Sequence, residues 1–153
     1  MANFNAVLDK KASEVKKLPP IPTGTYLAVA ATAPKFVTMG KDKTDAIEWE
    51  SRLLQPREDV DQTALNEIPQ ENRVIRSRFF LTEAALTRLM DFFCVLGKAT
   101  FDPATRQYSV EGDKSVRQLI PEIQGCQYML VVDHQPSQDM TTTYANAKQY
   151  LAV

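Results

Sequence analysis

The sequence predicts a mainly β domain with one or two helices. Residues 73–81 alternate on a period of two: Ile75, Ser77, Phe79 and Leu81 face one way, and Val74, Arg76, Arg78 and Phe80 the other. Successive strand side chains point to opposite faces, so this is a strand with one packed side. At Thr82 the period becomes helical, with Leu86, Leu89, Met90 and Phe93 at i, i+3, i+4 and i+7. The other sustained patterns are strand-like, which sets this one main helix among strands.

Taken in order, residues 3–18 read as a short amphipathic helix or a partly ordered arm. Phe4, Val7, Leu8, Ala12, Val15 and Leu18 lie loosely on one side, among Lys10, Lys11, Lys16 and Lys17. Pro19-Pro20-Ile21-Pro22 stops any helix and extends the chain, dividing an arm at 1–18 from a domain at 19–153. Residues 25–33 form the first strand, whose small residues suit a crowded face or a bend. Residues 35–44 read as a loop or hairpin tip with three lysines and Gly40.

In the second strand Ile47, Trp49, Ser51 and Leu53 alternate against Glu48, Glu50, Arg52 and Leu54. Residues 55–72 are acidic and lack a sustained apolar period; they read as a long surface loop with one helical turn near 61–65. The third strand and the main helix follow. Thr82 is its N-cap, Glu83 sits where the helix dipole favours an anion, and Gly97 is a natural C-cap.

Residues 98–118 carry weak patterns, with an extended turn at 105–110 and Ser115 capping a small helix that ends before Pro121. Residues 125–134 form a strongly apolar fourth strand, 134–140 a loop, and 141–151 a fifth strand. The order is therefore β-β-β-α-β-β. Sheet edges must be disposed of, and five strands with a helix between the third and fourth close into a small barrel. That is the order of the oligonucleotide/oligosaccharide-binding (OB) fold. A five-stranded sheet with one helix across it gives the same pattern.

Composition sets the limits. A chain of 153 residues that is 44% apolar can bury a real core in one domain. No apolar run approaches the roughly 18 residues that span a bilayer, and the N-terminus lacks the pattern of a signal peptide. Cys94 and Cys126 have no metal-ligand spacing and read as buried free thiols. Together these place the protein in the cytoplasm, with no membrane partner. Net charge is −1, yet residues 46–72 carry 2 basic against 7 acidic side chains and residues 73–98 carry 5 against 2. A neutral total permits a basic face, because local field governs binding more than the sum.

Catalytic signals are sparse. The single histidine, His134, ends an apolar strand and reads as a hydrogen-bonding residue rather than a catalyst. The five glycines are scattered, so no phosphate loop exists. Glu58, Asp59 and Asp61 lack the spacing of a calcium loop and read as a solvated acidic patch. The expectation is a protein that is not an enzyme and holds no metal or cofactor.

Nucleic-acid binding has more support. In an OB fold the ligand crosses the face around strands two and three, between the first and last long loops. That geometry brings Lys35, Phe36, Lys41 and Lys43 from the first loop, and Trp49 and Arg52 from strand two. Arg73, Arg76, Arg78 and Phe80 come from strand three, and His134 and Gln135 begin the last loop. Phosphates need cations along a groove, and unpaired bases need flat apolar surfaces. Arg76 and Arg78 with Phe80 supply both on one strand face. Each has an ordinary reading: alternating arginines solubilise an exposed face, Trp49 alternates with core residues, and Glu48 and Glu50 could pair with the strand-three arginines. Tyr26, Tyr128 and Tyr150 read as structural.

Met1-Ala2-Asn3-Phe4, then Pro22-Thr23-Gly24-Thr25-Tyr26 entering a strand, resembles small bacteriophage proteins encoded among replication and recombination genes. Phe79-Phe80-Leu81-Thr82-Glu83-Ala84-Ala85-Leu86 with Leu89 looks like their strand-to-helix joint, and residues 144–151 are similar to their last strand. The resemblance spans roughly 19–151. It implies an OB-fold phage single-stranded-DNA-binding protein with little sequence preference, acting in replication or recombination. Its further partners would be phage or host replication proteins, or a second copy in a homo-oligomer. Such proteins often end in an acidic tail, and Gln149-Tyr150-Leu151-Ala152-Val153 departs from that pattern. The alternative, from another class, is a protein-interaction module that binds or inhibits a host protein; the acidic loop 55–72 and the near-neutral charge favour it.

Overall fold

A computed structural model of the chain describes residues 8–9, 11–14, 17–137, 139–140 and 142–153. Half of the expected N-terminal helix at 3–18, including Phe4, Val7 and Val15, lies outside them. Within that segment a single 3-10 turn, Ala12–Glu14, is described, and Leu8 and Leu18 are exposed.

The fold is mainly β and antiparallel. Strands β1 (Gly24–Ala30), β2 (Lys35–Met39), β3 (Thr44–Pro56), β4 (Val74–Phe80), β7 (Gln127–Pro136) and β8 (Thr143–Leu151) form one sheet. β5 (Thr100–Asp102) and β6 (Gln107–Ser109) form a separate hairpin. Among the described residues three α-helices with complete bounds accompany them: α1 (Gln62–Leu65), α2 (Glu83–Val95) and α3 (Val116–Leu119).

β3 organises the sheet because its 13 residues serve three partners. One edge pairs with β4 from Ala46↔Phe80 to Arg52↔Val74. The other edge pairs first with β2, at Lys35↔Glu48, and then with β1, at Ala30↔Ser51. β1 and β2 thus run as one bent strand along β3. At the bend the ladder is broken by Pro34, which has no N–H. Thr32 compensates: its Oγ1 accepts the Glu50 N–H at 3.0 Å, and Ala31 N–H donates to the Glu50 carbonyl at 2.9 Å. Lys35 and Phe36 therefore stand on a strand rather than in the expected loop, and only 40–43 form the turn.

β1 continues the sheet to β7, and β7 to β8. Irregularities at Leu27/Ala28 and at Val131/Val132 curve it. The ladder does not run full circle. β4 and β8 approach within 8 Å between Cα atoms but share no ladder. Side chains fill that seam. Trp49, Phe79, Phe92, Tyr128 and Tyr150 form one aromatic cluster with neighbouring ring centroids 4.8 to 5.7 Å apart.

The helix signals act as read. Thr82 Oγ1 accepts the Ala85 N–H, and Ser115 forms a capping box with Gln118. At the end of α2, Lys98 N–H reaches the Phe93 carbonyl and Gly97 N–H the Cys94 carbonyl, with Gly97 at φ 75. This is a Schellman stop, which the left-handed glycine permits. α2 buries Leu89, Phe92 and Phe93. Two expectations change. Residues 55–72 are no mere surface loop, because Val60, Leu65 and Ile68 enter the core. Cys94 and Cys126 are half-buried rather than buried.

Candidate nucleic-acid interface

The seam between β4 and β8 opens into a groove of about 1080 Å³, walled on its third side by α2. Strand alternation aims Ile75, Ser77 and the half-buried Phe79 inward, leaving Arg76, Arg78 and Phe80 outward. On α2, Ala85, Arg88, Phe92 and Val95 recur at i, i+3, i+7 and i+10, so Arg88 faces the groove. β8 contributes Lys148. Val131 pairs with Gln149 and Val132 with Ala147, so Lys148 is the extra residue of a bulge. Lys148 keeps the exposed face of Asn146, and both line the groove; the bulge shifts the phase after it and turns Tyr150 inward.

The cations are not equivalent. Arg78 Nη2 donates to Glu48 Oε2 at 3.2 Å, and Glu48 lies directly across the β3–β4 ladder. Arg76 faces Glu50 in the same ladder without an ion pair. Among the described residues Arg76, Arg88 and Lys148 have no ion-pair partner. Among the described residues the one carboxylate lining the groove, Asp91, accepts a hydrogen bond from the Tyr108 hydroxyl at 2.5 Å. That bond and partial burial push the Tyr108 hydroxyl up to about 12. At the rim Phe80 is 45% exposed, a flat apolar surface beside the cations.

Beneath the groove runs a buried polar chain. Trp49 Nε1 donates to the Tyr128 hydroxyl at 2.9 Å, Tyr128 bonds Ser51, and Ser51 and Ser77 share a bond of 2.6 Å. Tyr150 sets its ring edge-on against Tyr128, with centroids 5.5 Å apart, and burial pushes the pKa of both tyrosine hydroxyls up. Every buried side-chain polar atom among the described residues has a partner.

The other expected site residues lie elsewhere. Trp49 is 2% exposed with its indole N–H occupied, so it is core and cannot stack on a base. Arg73 donates from Nε to the Ile68 carbonyl and from Nη2 to the Leu65 carbonyl, pinning the turn after α1. Arg52 is half-buried on the outward face of β3, opposite Val74. Phe36 is 61% exposed on edge strand β2, and Lys41 and Lys43 are exposed at the hairpin tip. None of these lines the groove. His134 Nε2 meets the Ile21 carbonyl at 2.7 Å, a structural contact. Among the described residues no three His, Cys, Asp or Glu side chains gather as a metal site, and no helix is long and apolar enough to cross a membrane.

Sequence reading missed Arg88 and Lys148. Arg88 was findable from its helical spacing to Ala85. Lys148 was findable as well, from its period-two spacing to Asn146 on the fifth strand. No family model matches this chain, and no curated protein does.

Proposed function

We propose that this chain binds single-stranded DNA with little sequence preference, without catalysing a reaction. One observation carries the reading: Arg76, Arg88 and Lys148, unpaired among the described residues, line one groove with the exposed ring of Phe80 at its rim. Phosphates would lie along the cations and bases would stack on the ring. With β1 and β2 taken as one bent strand, the element order supports an OB-type barrel whose β4–β8 side is held by side chains. The resemblance of residues 19–151 to phage proteins supports a role in replication or recombination inside an infected bacterial cell, with replication proteins as partners.

A second reading, a module that binds a host protein, draws on the Arg78–Glu48 pair, which gives the β3–β4 face mixed charge. Fluorescence anisotropy of a labelled oligo-dT at low and physiological salt, with duplex DNA as control, separates the two. Tight, salt-sensitive binding of the single strand alone supports the first reading. No binding at low salt overturns it in favour of the second.

A further inference from the structure

The hairpin β5–β6 stands beside the groove, and its ordering is local. Asp102 Oδ1 accepts the Ala104 N–H, Arg106 takes a left-handed φ of 58, and Arg106 N–H returns to the Asp102 carbonyl. Phe101 and Tyr108, paired across the hairpin, have ring centroids 4.9 Å apart. This holds the Tyr108 hydroxyl over α2, where it donates to Asp91 Oδ1 and lies 3.4 Å from the Thr87 carbonyl. Asp91 and Arg88 are three residues apart on α2 and line the same groove, a spacing at which opposite charges pair on a helix surface. They do not pair here.

We infer that Tyr108 is a positioning residue for the groove: by holding the Asp91 carboxylate toward the hairpin, it keeps Arg88 free to meet phosphate. The inference rests on the reading of the groove as a single-strand site. The effect is one of direction rather than of charge. Without the hydroxyl, Asp91 turns to Arg88 and competes with the nucleic acid.

The test is a double-mutant cycle on the full chain, reading the Kd of a labelled oligo-dT by anisotropy at low salt. An exposed ion pair is worth up to about 1 kcal/mol, so Tyr108→Phe is expected to weaken binding about two- to fivefold. Asp91→Asn strengthens it. In the Asp91→Asn background, Tyr108→Phe changes nothing, which a merely structural role would not give. Melting temperatures of all variants check that the hairpin stays folded. Should the wild type bind while Tyr108→Phe matches it, or should the loss persist in the Asp91→Asn background, this inference alone is overturned. A wild type that binds no oligonucleotide removes the reading of the site as well.

Discussion

The ring of Phe79 on β4 meets that of Tyr150 on β8 with centroids 5.5 Å apart, across a seam where the two strands share no ladder. Phe92 on α2 also packs edge-on against Tyr150, with centroids 4.8 Å apart. Side chains thus join these edges where backbone bonds do not. The arrangement leaves the outer part of the seam open as a groove while side chains fill its inner part.

If those ring contacts hold the seam, Tyr150→Ala should cost about 3 kcal/mol, the low end of the range for truncating a core aromatic, because Tyr150 is half-buried. Tyr150→Phe keeps the rings together and loses only the hydroxyl, so it should cost less, about 1 kcal/mol at most. Urea unfolding of the two variants checks both values. Equal losses would mean that the hydroxyl, not the ring, holds the edges.

The groove's cations should separate by whether they have partners. Arg76→Ala, Arg88→Ala and Lys148→Ala together should lower the slope of log affinity against log salt by about 2, at roughly 0.7 for each phosphate that is no longer neutralised. Arg78→Ala should do less than Arg76→Ala, because Glu48 already holds its guanidinium. Salt titrations of oligo-dT binding give the slopes.

Phe80 and Trp49 should behave oppositely. Phe80→Ala removes a half-exposed ring, so binding weakens by about 1–3 kcal/mol with little loss of stability. Trp49 is the only tryptophan and is buried, so its emission should be that of an apolar site and should not be quenched by direct stacking with an oligonucleotide. Strong static quenching would show a base reaching the core.

Arg73→Ala should destabilise by about 1.5–3 kcal/mol through loss of its bonds to the Leu65 and Ile68 carbonyls, and leave oligonucleotide affinity unchanged. Chemical denaturation and anisotropy on the same variant separate the two effects.

Burial raises the Tyr26 hydroxyl from its ordinary 10.0 to about 12, with the Asp59 charge adding to it, and burial also raises Tyr128 and Tyr150. A group whose folded value lies above its unfolded one stabilises fully below the unfolded value and loses that contribution as pH rises through the folded one. Melting temperature should therefore hold from neutral pH to about 10 and fall above it. A decline starting well below that would assign the loss to other groups.

Much of this was legible in residue order. Period two along 74–81 and 47–54 named the inward faces, Thr82, Ser115 and Gly97 marked helix ends, and Arg76, Arg78 and Phe80 were assigned to one outward face. Those features depend on neighbours within a turn or a strand, where the side-chain period and the capping hydrogen bonds are set locally. Tertiary structure decided the rest. It put Trp49 and Ser51 from β3 into one buried network with Ser77 and Tyr128, and it turned Arg73 to a structural task. The bulge at Lys148 and the approach of β4 to β8 made a groove from three elements distant in sequence. Such features arise from which edges meet and in what register, and a one-residue shift of register reverses the face on which every following side chain lies.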